Sequence, residues 1–544
     1  MKTSGSVRNG GSHSNGPEGG ETPSSATTPT TPQKQQQHIR QGTHCHGAHW
    51  RASPGYSLAT SAPSSLQCAE HVQCAEYAHV HHHCNGGKAL MEAAERRITV
   101  ASRIDRLPLS SLHRRLSFVL GIGTFFDLYD IFLGGLLGAV LTPLFHLSTF
   151  ETALIIGSGF FGMFIGAIVL GVVSDYIGRR SMYMIDLLIY SLFSLIAAFA
   201  PNFIWVVIFR FLAGIGLGAE PPLTDIYMGE MIPRHARGRY TAWCYTLGFF
   251  GVPLAGFVGR FVVKGSFLGL DGWRWLLIVG SLGALIVWLL RRNLPESPRW
   301  HEIRQDEAAA NAALASMEEQ IMREHGLKEL PEPQPVIVEP QTRATIAEIF
   351  SGVYAKRTIM LWIFQILQTV GYYGFGSLAP VVLTAKGFSV VSSLGYTALS
   401  FLGYPLGSFI SIFLVERIER KWLIVVSALL IALFGLSFGF ATSAIVLVIS
   451  GFLLTTVSNI FSNAFHIYQA EIFPTRMRGT AVGIAYSLSR LVSAILPFAA
   501  LPVLQSLGPV AVFAGEAVLL VLLCLDVALL GPRSTGRTLE IIAR

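Results

Sequence analysis

The sequence predicts an all-α membrane protein: twelve membrane-spanning helices in two six-helix, pseudo-symmetric halves. Three observations carry this prediction. Charged residues make up 13% of the 544 residues and hydrophobic ones 51%, with a mean hydropathy of +0.50; soluble domains average ~25% charged. From Leu116 onward the chain alternates apolar stretches with short basic ones. Finally, IYMGEMIPRHARG (226–238) recurs as IYQAEIFPTRMRG (467–479), an offset of 467 − 226 = 241. The same offset carries Asp175 to Glu416, Arg179 to Arg420 and Arg180 to Lys421, and two separate loops sharing one offset mark an internal duplication. This composition excludes an ordinary soluble enzyme. It also excludes a nucleic-acid binder, despite a formal charge of +7.

Residues 1–95 are a different material. They are rich in Gly, Ser, Thr, Pro, Gln and His, a composition that cannot offset the entropy of ordering. Before residue 91 fall ten of the 16 His and four of the six Cys (Cys45, Cys68, Cys74, Cys84). The Cys spacings lack the CxxC pairs of a zinc site, and QCAE occurs twice, at 67–70 and 73–76. A duplicated, disordered tail without a metal site is expected. No apolar h-region follows Met1, so a signal peptide is not expected, and Met91 is a candidate start of translation.

A ~30 Å hydrocarbon layer needs ~20 apolar residues per helix. Spans are predicted at 116–142, 151–173, 183–200, 203–229, 241–263 and 273–290, forming a first half over 100–290. A second half over 357–531 holds spans at 357–384, 390–414, 423–441, 443–470, 480–505 and 508–530. None shows the alternating pattern of a transmembrane barrel strand. Arg and Lys cluster before the first span (Arg103, Arg106, Arg114, Arg115) and after the second, fourth, sixth, eighth and tenth (for example Arg234, Arg291 and Arg417). The opposite side offers Lys264 and Lys386, with Arg260 and Arg274 at span edges. The positive-inside rule therefore places both termini, including the tail 532–544, in the cytoplasm. Residues 291–356 form a cytoplasmic connector, first a charged helix (DEAAANAALASMEEQIMREHG) and then an extended, Pro-rich segment (PEPQPVIVEP).

The loop motifs resemble those of the major facilitator superfamily. In GVVSDYIGRR (171–180), Gly171, Asp175, Gly178, Arg179 and Arg180 match the loop between its second and third helices. RFLAGIGLG (210–218) resembles its fourth helix, beginning at Arg210. The pattern Glu-x-x-Pro-x-x-x-Arg-Gly recurs as Glu230/Pro233/Arg237/Gly238 and Glu471/Pro474/Arg478/Gly479, and PESPR (295–299) resembles the end of the sixth helix in sugar-porter-like members. ERIERK (416–421) departs from the pattern, with Glu419 in place of Gly. The resemblance implies a secondary transporter with its site between two rocking halves. A cytoplasmic gate is expected from Asp175, Arg179, Arg180, Arg210, Glu230, Arg237, Glu416, Arg420, Glu471 and Arg478. The plainer alternative is that these are topology markers and surface pairs worth ~0–1 kcal/mol each.

Ionisable groups at bilayer depth are costly and are functional candidates by default. Asp127 and Asp130 are three apart in the first span, Asp127 roughly 16 Å in from Leu116. Two nearby carboxylates in low dielectric cannot both ionise cheaply, so one is expected to hold a proton. Asp-x-x-Asp-x-x-x-Gly (Asp127, Asp130, Gly134) also resembles the first helix of the aromatic-acid and metabolite:proton symporters. That resemblance implies substrate binding or proton coupling; a helix–helix ion pair is the alternative. In the fourth span, Pro221 and Pro222 are expected to kink or break the helix beside Glu220. Glu220, Thr224 and Tyr227 share a face, and Asp225 lies off it, facing Arg210 or a neighbouring helix. Asp127, Asp130 and Glu220 are the proton-coupling candidates.

The second half supplies the substrate-binding candidates. Gln365, Gln368 and Tyr372 share a face of the seventh span, resembling the paired Gln of sugar porters. Asn459, Asn463 and His466 share a face of the tenth, where buried amides also serve as interhelical links. Arg490 lies roughly 15 Å deep in the eleventh span, with Tyr486, Ser493 and Pro497 on its face. Arg-x-x-Ser-x-x-x-Pro resembles the eleventh helix of the aromatic-acid symporters, which implies that Arg490 faces an anionic substrate; pairing with Glu516 or Asp526 is the alternative. The expectation is a monomeric, multi-pass proton symporter of the plasma (inner) membrane, carrying a small organic solute, a carboxylate first. It needs no cofactor beyond the proton as coupling ion. A sugar:proton symporter and a non-transporting membrane sensor are the rivals. No Walker loop supports ATP drive.

Overall fold

The computed structural model describes residues 96–337, 346–473 and 475–534. The His- and Cys-rich N-terminal tail and residues 535–544 of the C-terminal tail lie outside the described residues. A short helix α1 (Val100–Asp105) leads into the first half: α2 (Ser111–Phe145), α3 (Thr149–Ile177), α4 (Arg179–Ala198), α5 (Phe203–Met231), the pair α6 (Arg234–Phe249) and α7 (Gly251–Val262), and α8 (Gly272–Arg291). The connector contributes α9 (Pro298–Ile303) and α10 (Glu307–His325). The second half begins with α11 (Gly352–Thr369), a π-helical turn (Val370–Gly374) and α12 (Phe375–Ala385), together one span. It continues through α13 (Val390–Phe401) and α14 (Gly403–Leu414), α15 (Arg420–Phe440) and α16 (Ala444–Glu471). The last two spans, α17 (475–507) and α18 (509–530), run on through Gly508, whose φ of 81° turns the chain between them. Counted this way there are twelve spans among the described residues, as expected.

The observed helices outrun the apolar stretches that predicted them. Arg179, Arg180, Arg234, Arg237 and Arg420, counted above as loop residues, occupy the opening turns of α4, α6 and α15. A helix closes its own backbone hydrogen bonds whether its side chains face lipid or water, so polar residues extend it past the hydrocarbon. Helix starts are capped by side chains. Ser148 and Glu151 form a reciprocal capping box on α3, and Asn202 takes the Trp205 N–H of α5.

The end of the bundle carrying Arg179, Arg234 and Arg420 is termed the basic end. At the opposite end the halves approach through glycine. A Cβ on Gly135 of α2 would lie 2.1 Å from the Ser377 carbonyl oxygen of α12, so the backbones themselves are in contact. Phe132 and Phe160 of the first half meet Tyr373 of the second, at 6.5 and 5.5 Å between ring centroids.

The connector docks on the first half. Arg103 and Arg106 both clasp Glu318 of α10, at 2.7 and 2.8 Å, and Val100, Ile104, Ala310 and Leu314 form a small apolar core between α1 and α10. The Ser111 N–H and hydroxyl, at the start of α2, both donate to Glu324. The predicted connector helix is thus present, begun by Asp306, which accepts from the Ala309 N–H, and ended by Gly326 in the left-handed region.

Candidate functional site

The acids of the first half gather at two centres. Asp130 of α2 faces Arg210 of α5 at 3.5 Å and Ser194 of α4 at 3.5 Å, and Arg210 Nη2 also donates to the Asp130 carbonyl. Asp127, one turn earlier, faces a second cluster, with Glu220 of α5, Arg291 of α8 and Asp186 of α4 close by. Glu220 and Arg291 form an ion pair at 2.5 Å, with side chains 2% and 0% exposed. The Arg291 guanidinium lies over the Tyr183 ring at 4.5 Å and donates to the Leu120 carbonyl. A Cβ on Gly123 would overlap Arg291 Nη2 (1.7 Å), so that glycine is the space the guanidinium occupies. Tyr183 donates to Thr224 and packs edge-on against Tyr227, which brings the predicted Glu220, Thr224 and Tyr227 face together.

Three expectations need correction here. Asp127 and Asp130 do not work as one pair: Asp130 is paired with Arg210, and Asp127 lies in the cluster of Glu220, Arg291 and Asp186. The fourth span is not broken at Pro221 and Pro222, because α5 runs unbroken from Phe203 to Met231, and Glu220 is held by Arg291 rather than by freed carbonyls. Arg210 is not part of a basic-end gate. It sits seven residues from Phe203, roughly 10 Å from the opposite end, and is buried with Asp130. Of the two partners open to Asp225, the neighbouring helix is the one observed: Asp225 accepts from Tyr245 at 2.9 Å.

At the basic end the remaining gate candidates form local pairs. Arg179 reaches Asp175 at 2.7 Å and Glu230 at 3.7 Å, and Arg420 reaches Glu471 at 3.3 Å. Since 179 + 241 = 420 and 230 + 241 = 471, the Arg179–Glu230 and Arg420–Glu471 pairs are copies of one another. The Arg179 and Arg180 N–H groups donate to Glu296 of the PESPR segment, which caps α4. Arg180 also donates to the Arg292 carbonyl and Arg237 to that of Ile232; Glu416 is exposed. The Arg478 side chain lies outside the described residues.

In the second half, Gln365, Gln368, Tyr372 and Arg490, which the sequence reading grouped, line one narrow cavity with Tyr373 and His466. The π-helical turn widens the helix just where the two tyrosines stand, so that Tyr373 joins Tyr372 on the cavity wall. Arg490 is buried. Its guanidinium is held between the rings of Tyr373 (4.6 Å) and Tyr486 (4.4 Å), and Nη2 donates to the Tyr486 hydroxyl at 2.6 Å. Its Nε and Nη1 have no hydrogen-bond partner among the described residues, and no carboxylate lines the cavity. Pairing of Arg490 with Glu516 or Asp526 is not observed.

Asn459 and Asn463 do not line this cavity. Asn459 donates to the Tyr404 carbonyl at 2.6 Å and Asn463 to the Ser411 hydroxyl at 2.6 Å, so both tie α16 to α14 as interhelical links. Sequence reasoning passed over Asp186 and Arg291. The signal for Asp186 was present, an acid inside a predicted span. Arg291 stands where a basic residue reads as a topology marker, and the packing of α8 against α2 and α4 turns it inward.

A family described as sugar (and other) transporter matches residues 72–544. YyaJ of Bacillus subtilis (strain 168), a protein named for metabolite transport, is 33% identical over 396 residues, covering 72% of this chain and 86% of YyaJ. The niacin transporter NiaP of Acinetobacter baylyi (strain ATCC 33305 / BD413 / ADP1) is 29% identical over 452 residues, covering 81% of this chain and 99% of NiaP. In fold the chain is similar to the xylose transporter XylE from E. coli in a partially occluded inward open conformation. The TM-score is 0.64 at 21% identity, covering 79% of this chain and 100% of XylE. With two six-helix halves, buried charges at depth and these relatives, the chain belongs to the sugar (and other) transporter family: it is a multi-pass membrane transporter of the major facilitator fold, not an enzyme.

Proposed function

We propose that this transporter is a proton-coupled symporter of a small carboxylate, working by alternating access in the plasma membrane with both termini in the cytoplasm. The observation that carries the substrate class is Arg490. It is a buried cation on a cavity wall that holds no acid, with two donor atoms left over. A guanidinium fork matches a carboxylate, and a charge left uncompensated at this depth is costly unless an anion arrives. The tyrosine rings flanking Arg490 suit a planar solute. NiaP is named for niacin, a small aromatic carboxylate.

The proton is assigned to the first half, to Asp130 with its partner Arg210 and to the Asp127–Glu220 cluster. Protonating Asp130 releases Arg210 from its ion pair. Phe160 lines the space beside Asp130 and Arg210 and also packs on Tyr373 of the substrate cavity, so a shift at the acid is felt at the solute. No cofactor takes part in this scheme; the proton is the coupling ion. A sugar is the second reading, favoured by Gln365 and Gln368 on the same wall.

The test is uptake by proteoliposomes under an inward-directed pH gradient, offered labelled nicotinate, benzoate, lactate and xylose. Accumulation of a carboxylate that Arg490→Gln reduces ~100-fold, and that Asp130→Asn uncouples from the gradient, is the expected result. Accumulation of xylose alone would sink the carboxylate assignment, and uptake of no solute would favour a sensor.

A further inference from the structure

The substrate cavity contains a hydrogen-bonded relay whose direction can be read from one end to the other. The Thr369 hydroxyl donates to the Gln365 carbonyl at 2.7 Å, so toward Gln368 it can only accept. The atom of Gln368 that meets it is Nε2, at 3.4 Å, and the same Nε2 donates to Gln365 Oε1 at 2.9 Å. Gln365 Nε2 then donates to Gln469 Oε1 at 2.9 Å, and Gln469 Nε2 meets His466 Nδ1 at 3.3 Å. Gln368 turns its nitrogen to both neighbours, and Gln365 and Gln469 each accept through the oxygen on the Gln368 side and donate through the nitrogen on the His466 side. An amide nitrogen is a donor only, so His466 Nδ1 must accept, and the ring proton is placed on Nε2.

His466 lies on the cavity wall with Arg490, its ring stacked on Phe465 at 4.3 Å between centroids. The titratable or charged groups facing it across the cavity are Arg490 and Tyr486 of α17 and Tyr372 and Tyr373 of the π-helical turn. None is an acid. A second full positive charge beside Arg490 would have no counter-ion there, so the neutral ring with Nε2–H is the form this lining accepts.

We propose that His466 donates from Nε2 to the solute's carboxylate alongside Arg490, and that Gln469 is the positioning residue that keeps the proton on Nε2. The proposal rests on the carboxylate reading of the site. It adds a second donor of different reach, so that the carboxylate is fixed in orientation as well as in place. It also turns a residue that touches no solute, Gln469, into a determinant of affinity.

The experiment measures equilibrium binding of labelled nicotinate and benzoate to the purified full-length chain at pH 7.5 and pH 5. Removing the donor in His466→Leu is expected to weaken binding at least ~10-fold, the scale of a hydrogen bond to a charged group, while His466→Gln, which keeps a donor, stays within ~3-fold. Gln469→Glu is the sharper probe. A carboxylate there accepts from Nδ1–H and turns the bare Nε2 lone pair toward the anion, so binding at pH 7.5 falls at least ~10-fold. The new carboxylate is also the counter-ion that the unaltered lining lacks, so in this variant acid can charge the ring, both nitrogens carry protons at pH 5 and binding recovers; in a His466→Gln background the same Gln469→Glu change shows no recovery. The inference is overturned if His466→Leu binds as the wild type does. It is also overturned if acid fails to rescue Gln469→Glu, or rescues it equally without the histidine. In those cases nicotinate or benzoate binding that still depends on Arg490 leaves the carboxylate reading standing. If neither acid binds the wild-type chain, both fall.

Discussion

The two halves share a scaffold and divide the chemistry. At the basic end the duplication is legible down to the ion pair, Arg179–Glu230 in one half and Arg420–Glu471 in the other. In the interior the copies diverge. Carried through at 241 residues, Asp127 falls on Gln368, Glu220 on Phe461, and Arg490 falls back on Phe249. The first half is held by buried charge, Glu220 on Arg291 and Asp130 on Arg210. The second has neutral links such as Asn459 to Tyr404 and Asn463 to Ser411, and one of its buried cations, Arg490, lines the cavity. The repeat therefore fixes the frame, while the assignment of one half to the proton and the other to the solute rests on interior residues that the repeat does not share.

The largest effect expected from this contrast lies at Arg291. Replacing it with Met removes the cation that compensates Glu220 and leaves buried acid without a partner, which costs about 3–5 kcal/mol. The matching change in the second half, Asn463→Ala, removes a neutral hydrogen bond and costs about 1 kcal/mol. Thermal unfolding in detergent should rank them in that order, and adding Glu220→Leu to Arg291→Met should restore most of the loss. Equal losses in the two halves would erase the distinction between a charge-held and a neutral-held bundle.

A smaller effect tests the seam between the halves. Phe160 borders Asp130 and Arg210 on one side and Tyr373 on the other. If this contact carries coupling, Phe160→Ala should leave nicotinate affinity within ~3-fold but cut gradient-driven accumulation ~5–10-fold, at the low end of usual coupling energies. Binding and accumulation falling together would mean that Phe160 only shapes the cavity.

What the sequence disclosed follows from how each residue acts. Gln365, Gln368, Tyr372 and Arg490 were legible because a polar residue at bilayer depth on a shared helix face has few reasons to be there. The basic-end residues were legible through the repeat. Arg291 was hidden because a basic residue at the end of an apolar stretch looks the same whether it snorkels to water or turns inward to Glu220; tertiary packing decides. Arg210 was misplaced because a motif gives chain position and not depth. The π-helical turn at Val370–Gly374 has no periodicity signal of its own, so the arrival of Tyr373 beside Tyr372 could not be read. The relay from Gln368 to His466 joins two helices far apart in the chain and exists in the folded chain alone.

The smallest effect concerns the connector, which is clasped to the first half by Arg103 and Arg106 on Glu318. Partial burial works to raise the Glu318 pKa, but the hydrogen bonds and charges of the two arginines outweigh it and hold the carboxyl below its ordinary range. A carboxyl depressed on folding contributes stability that is complete above its unfolded pKa, ~4.3, and is lost as pH falls through the lower folded value. The clasp is therefore intact at neutral pH and loosens below about pH 4. Glu318→Gln should cost at most about 1 kcal/mol at pH 7 and should remove that part of the acid dependence. Limited proteolysis within 326–335 is the suitable readout, because the spans themselves are protected by the bilayer. Faster cleavage of the variant at pH 7, converging with the wild type in acid, is the expected pattern. Identical cleavage of both at pH 7 would show that the apolar contacts of Ile104 and Leu314 hold the connector unaided, and that the first half recruits it by packing rather than by the charge that organises the interior.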